Sequence, residues 1–480
     1  MMGKLLFHAG QTAEAADRFL TKHRLAFSVL LALALSGALA LYNVSSGPLS
    51  NLNDIGGWSN RALFIVMSAF VHASMLMLCA LLSRVRFSRT ALRQVILTAG
   101  VYIMLLAINQ KTYIYVNVMQ PLVREMDAGF GTGMRAHSTL SAPAKLLVYA
   151  ITRGPVYDMY LLKLFAIGCY LLIALLVVRA ADCAGLGVRA EVLLALCMIL
   201  PQGFMNAACS ALVEIAALAL LGAALMLRFD SGRIKTLAAP ACYGAACALC
   251  GACLLALPVM IDKKKWKHQA GVMAGVMIAL CMPAVLGGMP IGDAAGSLFG
   301  AVLGVPVYAG GAPGIANLIP RAVVEEIAQY APILRHLPEI DTLTNAQEHY
   351  TQMHYEIVMR GFAWAGLAAY AGVWALVCSW QEKPVLHRAL ALTLCALIVC
   401  PGVTSGAWLA ADLLCLYAIL ADGKLRLPAC LVLFATMTSC SYPMTEEVML
   451  PMVYAFVLCL GALLMLLDVI PMGRGEESHD

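Results

Sequence analysis

Long stretches without charged residues dominate this chain, and they constrain its fold more than any motif does. Of its 480 residues, 62% are hydrophobic and only 12% are charged. A soluble domain carries about 25% charged residues, because it must cover an apolar core with a polar surface. The composition therefore disfavours a soluble enzyme and any nucleic-acid partner. It predicts an all-α protein with many helices in a membrane.

The apolar stretches are the candidate membrane helices, since a helix of about 20 apolar residues crosses a bilayer. They lie near 25–42, 62–83, 93–115, 157–180, 188–206, 207–228, 237–261, 269–289, 358–380, 389–421, 427–441 and 447–469. The first stretch follows a basic segment and shows no small-residue cleavage site, so we interpret it as a retained helix. Counting broken stretches as pairs, we expect about 11 to 14 hydrophobic helices.

Basic residues cluster in the short loops between these stretches, which predicts that those loops are cytoplasmic. Two stretches, 237–261 and 389–421, have basic residues at both ends. We therefore expect each to be a pair of short helices that rises and returns, with its break lining an internal cavity on the outer side. This topology places the N-terminus in the cytoplasm and the polar segments 113–156 and 290–356 outside.

Two carboxylates lie inside apolar stretches. Glu214 lies about two helical turns into a stretch without any other charge. A carboxylate at such a position raises the free energy of membrane insertion by about 2.5–3.5 kcal/mol. It should face a partner or a wet cavity, either as a general base or ligand-orienting group or as a helix-packing carboxylate. Asp412 is similar, and for it we favour a structural hydrogen bond.

The outer segment 113–156 contains the other candidate chemistry. Glu125 or Asp127 could act as a base or a metal ligand, and Arg124 or Arg135 could hold a phosphate. The alternative is a solvated surface loop. No metal site is predicted, because the sequence shows no cluster of ligands at metal-binding spacing, although a divalent metal stays open.

Four segments carry a family resemblance. They are Gly154-Pro-Val-Tyr-Asp158-Met-Tyr-Leu-Leu-Lys163, Leu200-Pro-Gln-Gly-Phe-Met-Asn206 through Glu214, Tyr308-Ala-Gly-Gly-Ala-Pro313 through Asn317, and Cys400-Pro401 through Asp412. In this order they resemble segments of the bacterial GT-C glycosyltransferases, multi-spanning enzymes that use polyprenyl-phosphate sugars. The resemblance is greatest to the mannosyltransferase-like group.

Several positions depart from the family pattern. The family has a catalytic Asp shortly after a membrane span. When this chain is aligned with the family at Pro121, that position is occupied by Ile114 or Tyr115. The family's Trp-Gly-Gln is replaced by Ser210-Ala-Leu, although an acid remains as Glu214. Its His-Glu-Arg-Tyr motif is replaced by Thr-Ser-Gly-Ala at 404–407. The scaffold is kept, while most charged catalytic positions are not.

The resemblance implies a GT-C-like core over 113–469, additional N-terminal membrane helices over 1–112 and a polar cytoplasmic tail over 470–480. It implies transfer of a hexose from a polyprenyl-phosphate donor to an acceptor at the outer face of a bacterial cell membrane. The replaced positions leave enzymatic activity open. The alternatives are an inactive relative that binds or scaffolds lipid-linked sugars, and a lipid or sugar transporter.

For an active transferase, we expect particular roles for individual residues. Glu125 or Asp127 would be the base, and Glu214 would orient or assist. The residues expected to contact the substrate are Arg124, Arg135, Tyr308, Asn317 and Asp412. The expected partners are the lipid-linked donor and membrane lipid.

Overall fold

The computed structural model describes most of the chain as helix. The described residues are 14–50, 57–112, 115–136, 140–154, 158–211, 213–228, 233–260, 265–303, 344–380, 383–400, 405–439 and 452–470. None of these residues lies in a strand. The predicted all-α fold is thus confirmed, as expected where backbone groups must be hydrogen-bonded within the segment.

The main helices are numbered here in chain order. They are α1 (Arg24–Ser45), α2 (Gly57–Leu82), α3 (Phe87–Leu106), α4 (Gln120–Ala128), α5 (Phe130–Arg135), α6 (Ala142–Thr152), α7 (Asp158–Cys183), α8 (Arg189–Ile199), α9 (Glu214–Arg228), α10 (Arg233–Leu249), α11 (Trp266–Leu286), α12 (Ile291–Leu303), α13 (Thr344–Ser379), α14 (Val385–Val399), α15 (Ser405–Ala421), α16 (Arg426–Ser439) and α17 (Met452–Leu466). Shorter helical turns cover Tyr115–Met119, Pro201–Phe204, Met205–Cys209, Gly251–Ala256, Leu257–Met260 and Gly423–Leu425.

Six of the described helices are long and apolar enough to cross a membrane, namely α1, α2, α3, α7, α11 and α13. Large apolar side chains on these helices are exposed; in α1, Leu30 is 61% and Leu41 is 73% exposed. Such surfaces are stable against lipid and unstable against water. The chain is therefore a multi-pass membrane protein, as its sequence predicted.

The chain forms two compact units. The first unit comprises Met1–Tyr115 and Val148–Gly222, and the second comprises Val116–Leu147 and Ala223–Asp480. The division of the chain into an N-terminal addition and a GT-C-like core stays a prediction.

One end of the first unit is held by buried ion pairs, and we call it the arginine end (Arg89, Arg93, Asp182 and Glu191). Arg93 is 1% exposed and donates to the two Asp182 carboxylate oxygens at 2.7 and 2.6 Å and to Glu191 at 2.8 Å. Arg89 also donates to Glu191, at 2.7 Å. The start of α3, the end of α7 and the start of α8 therefore meet here, so these neighbours alternate in direction.

The stretch 237–261, in the second unit, is broken after Leu249 as predicted, while its expected return as the second helix of a pair stays a prediction. Helix α10 ends at Leu249, and the chain continues as the turns Gly251–Ala256 and Leu257–Met260. Side chains bind the freed carbonyl groups. Ser141 donates to the carbonyl of Leu249 at 2.9 Å, Tyr243 to that of Cys253 at 3.0 Å, and Tyr370 to that of Leu255. The break thus satisfies the requirement that irregular backbone in a membrane be hydrogen-bonded within protein.

The stretch 389–421 is also broken, into α14 and α15, which pack against each other. A third break lies in the first unit, where α8 and the segment Pro201–Cys209 meet at 51°, close to the predicted division between the stretches 188–206 and 207–228. Proline explains it, because Pro201 has no backbone N–H and disfavours helical geometry at Leu200. The expected outer cavity stays a prediction, since residues 304–343 and 401–404 lie outside the described part of the chain.

Candidate functional site

A buried lysine defines the opposite end of the first unit. Lys163, in the second turn of α7, has no solvent exposure. Its ammonium group donates to the carbonyl of Ile108 at 2.6 Å and to the carbonyl of Gln110. These carbonyls follow α3, whose C-terminal end carries negative partial charge and favours a cation. We call this region the lysine end (Asn109, Gln110, Thr112, Tyr115, Tyr160, Lys163 and Ser210).

Polar side chains hold the lysine end together. Tyr160 donates to the Asn109 side chain at 2.6 Å and so fixes the turn that follows α3. The hydroxyl groups of Thr112 and Ser210 lie 3.0 Å apart and are buried. This contact brings the irregular segment after Cys209 to the same end of the unit as Lys163.

The charge of Lys163 is not balanced by any carboxylate among the side chains that the structure describes. Its hydrogen-bond acceptors are neutral carbonyl groups, and the Lys111 ammonium group is close enough to repel it. The aromatic ring of Tyr115 lies with its centroid 5.9 Å from the ammonium nitrogen. The side chain of Asp158 is outside the described part. A buried ammonium ion without an anion costs several kcal/mol, so this end would gain from an anionic ligand.

Glu214 lies four residues beyond Ser210, where α9 begins. The sequence placed it inside an apolar helix, whereas the structure places it in the first turn of one, after an irregular segment in which Ala211 has a φ of 54°. Its Oε2 atom is buried and has no hydrogen-bond partner among the described residues. The N-terminal end of a helix favours negative charge there. One Glu214 oxygen is therefore buried without a hydrogen-bond partner in the described part of the chain.

The structure brings four of the predicted site residues together in the second unit. Helix α4 buries one side of its surface, including Met126, and exposes Arg124, Glu125 and Asp127. Helix α5 packs on α4, and its exposed Arg135 donates to the Gly131 carbonyl at 3.2 Å. Two carboxylates and two guanidinium groups thus share one exposed helix pair, which we call the charged hairpin. Their roles in substrate binding and catalysis stay predictions.

Asp412 is fully buried where α15 packs on α16. Thr436 donates to its Oδ1 atom at 2.7 Å, in agreement with the structural hydrogen bond favoured from the sequence. Its Oδ2 atom has no hydrogen-bond partner in the described part. The other predicted substrate contacts, Tyr308 and Asn317, lie outside the described residues.

A second buried lysine, Lys145, lies in the second unit. It is 3% exposed and donates to the carbonyls of Met134 and Ala136, at 3.3 and 2.5 Å, where α5 ends. Burial lowers the pKa of Lys145, and the negative charge of Asp293 opposes that shift. Lys145 thus makes the same kind of hydrogen bonds as Lys163 but has a carboxylate near it.

No candidate site residue was predicted at the lysine end, and the phosphate contact was expected at Arg124 or Arg135. The sequence does carry a signal for Lys163, because it is a lysine one turn inside an otherwise apolar stretch. Such a residue must have a polar environment.

Neither a metal centre among the described residues nor a known relative identifies the function. The described residues contain no group of three or more His, Cys, Asp or Glu side chains that could hold a metal ion. Comparison with protein-family models, characterised proteins and solved structures finds no match.

Proposed function

We propose that the lysine end binds the phosphate of a polyprenyl-phosphate-linked sugar and that the protein transfers the sugar to an acceptor hydroxyl group. The observation that carries this proposal is the buried ammonium group of Lys163, whose described hydrogen-bond acceptors are all neutral carbonyls. Lysine is a common point-charge ligand for phosphate. The nearby Lys111 adds positive charge, which would favour an anion further.

The depth of Lys163 suits a lipid phosphate. Five residues separate it from the start of α7, which corresponds to about 7.5 Å along a helix axis. The prenyl tail of a carrier would then lie along exposed apolar helix surfaces in the bilayer. The arginine end of the same unit is cytoplasmic by the positive-inside rule, so the lysine end would face the outer side.

The proposed reaction is a displacement at the anomeric carbon of the donor sugar. A carboxylate takes the proton of the acceptor hydroxyl, the hydroxyl oxygen bonds to the anomeric carbon, and polyprenyl phosphate leaves with the electrons of the broken C–O bond. Lys163 would stabilise the charge that develops on the leaving phosphate. Glu214 belongs to the same unit and has a free oxygen, so it is our first choice of base; Glu125 and Asp127 are the alternatives.

Release of polyprenyl phosphate tests this proposal. The full chain in proteoliposomes is given undecaprenyl-phosphate hexoses and a hexoside acceptor. Lys163→Met should lower kcat/KM by about 100-fold, the usual effect of removing one charge-stabilising donor. Lys163→Arg should retain part of the activity because it keeps the charge. Lys145→Met is the matched control, since it also removes a buried lysine that binds carbonyls. Equal losses in both methionine variants would contradict the proposal.

Tyr115 favours a second candidate, which is binding of the donor without transfer. By the register on Pro121, Ile114 or Tyr115 stands where the family resemblance implies a catalytic Asp. The Tyr115 ring is buried against the Lys163 ammonium group and supplies no base. A binding protein would hold undecaprenyl-phosphate hexose with an affinity that depends on Lys163 and would release no polyprenyl phosphate.

A further inference from the structure

Two buried polar side chains in α15 have atoms without partners. Trp408 and Asp412 both have no solvent exposure, and neither the indole Nε1 of Trp408 nor the Oδ2 of Asp412 has a hydrogen-bond partner among the described residues. They are four residues apart, so they lie on the same face of the helix, one turn from each other. Leaving one such group unsatisfied costs about 1–3 kcal/mol, so two neighbouring ones indicate a bound species.

The groups around Asp412 supply no counter-charge. The elements packed on α15 are α14, α16 and the turn Gly423–Leu425. Together with α15, they carry these other titratable or charged described side chains: His387, Arg388, Cys395, Cys415, Tyr417, Lys424, Arg426 and Cys430. None of them forms an ion pair or hydrogen bond with Asp412. The His387 ring bonds the Leu466 carbonyl and Arg426 donates to the Ile419 carbonyl. The described neighbour that does bond Asp412 is the neutral hydroxyl of Thr436.

We propose that Asp412 is a proton-binding site inside the membrane, with a water molecule that accepts hydrogen bonds from the Asp412 acid and the Trp408 indole. An ionised carboxylate buried without a cation is far more costly than a neutral acid. In the neutral acid, Oδ1 accepts from Thr436 and Oδ2–H becomes a donor. Trp408 Nε1–H is a second donor on the same face. One water oxygen accepts both bonds, which meets the polar contacts that a buried water needs.

This site is independent of phosphate binding at the lysine end. Ionisable side chains within membrane helices commonly mark paths for protons or ions. Asp412 would take up or release a proton between α15 and α16, and deprotonation would require water or a cation to enter between these two helices.

Infrared difference spectroscopy on the full chain in lipid tests this directly. At neutral pH, the wild-type protein should show the C=O stretch of a protonated carboxylic acid, and this band should shift when water is replaced by D₂O. Asp412→Asn should remove the band. Asp468→Asn is the control, because Asp468 is 59% exposed and pairs with Lys383, so the band should remain. Glu214→Gln identifies any acid band that arises from Glu214, because such a band would be lost in that variant while the Asp412 band would remain.

A conservative variant keeps the proposal testable should Asp412→Asn fold poorly. Thr436→Val has nearly the same shape and removes the hydrogen bond to Oδ1, so the acid band should move to higher frequency without being lost. The proposal is wrong if the wild type lacks the band at neutral pH, or if neither variant changes it. A carboxylate that is ionised and responds to Na⁺ instead would also contradict it.

Discussion

Lys163 and Lys145 make nearly the same hydrogen bonds in the two units of the protein, yet their electrostatic surroundings differ. Both are buried, and both donate to main-chain carbonyls just beyond the end of a helix. The negative charge of Asp293 acts on Lys145, whereas Lys163 has the Cys209 thiol and the Lys111 ammonium near it and no carboxylate among the described side chains. The hydrogen bonds alone would describe both as helix caps. The difference in charge makes Lys163 the better candidate for binding an anion.

The arginine end extends the comparison, because it shows a buried cation whose charge is fully matched. Arg93→Met would leave Asp182 and part of Glu191 buried without their partner. We expect a loss of about 3–5 kcal/mol in the free energy of unfolding, measured by denaturation in detergent. Arg18→Met is the control, because Arg18 forms an exposed pair with Glu14, and such pairs contribute about 0.5 kcal/mol or less. Similar effects in both variants would mean that the buried network contributes little.

A carboxylate placed beside Lys163 should make it resemble Lys145. Tyr115→Asp would put an acid near the ammonium group, where the aromatic ring lies now. We expect binding of undecaprenyl phosphate to weaken about 10-fold, or about 1.4 kcal/mol, because the new charge competes with the phosphate. Tyr115→Leu removes the ring without adding charge and should change the affinity by less than about 3-fold. Equal weakening by both variants would show that the ring, and not the charge, matters.

The converse change should have the smallest effect. Asp293→Asn removes the carboxylate whose charge acts on Lys145. Asp293 is exposed and solvent screens it, so we expect a loss of less than about 1 kcal/mol in thermal unfolding. Binding of undecaprenyl phosphate should not change. A gain of phosphate binding that depends on Lys145 would show that an unbalanced buried lysine is sufficient to create such a site.

Much of the fold follows from the sequence because composition and loop charge act over long stretches. The all-α membrane fold and the breaks within 237–261 and 389–421 could be predicted, since basic residues flank each stretch on both sides. The bend at Pro201 lies close to the predicted division between the stretches 188–206 and 207–228, and proline is its local signal. The ion pairs of Arg93 at the arginine end join residues 89 and 98 positions apart in the chain, and no local pattern reveals such partners.

The candidate site was harder to predict than the fold. The partners of Lys163 are main-chain carbonyls, which every residue has, so its sequence neighbours do not identify them. Glu214 was recognised as an unusual acid, but its position at the start of α9 depends on the irregular backbone before it. Glu125 and Asp127 are exposed on the charged hairpin, which agrees with the alternative that this segment is a solvated part of the surface. Their catalytic role stays a prediction.

An experimental structure of the full chain with undecaprenyl phosphate bound tests phosphate binding at the lysine end most directly. We expect the phosphate group within hydrogen-bonding distance of the Lys163 ammonium group, with the prenyl tail on an apolar helix surface. A phosphate bound by Arg124 and Arg135, with Lys163 still bonded only to the carbonyls of Ile108 and Gln110, would contradict it.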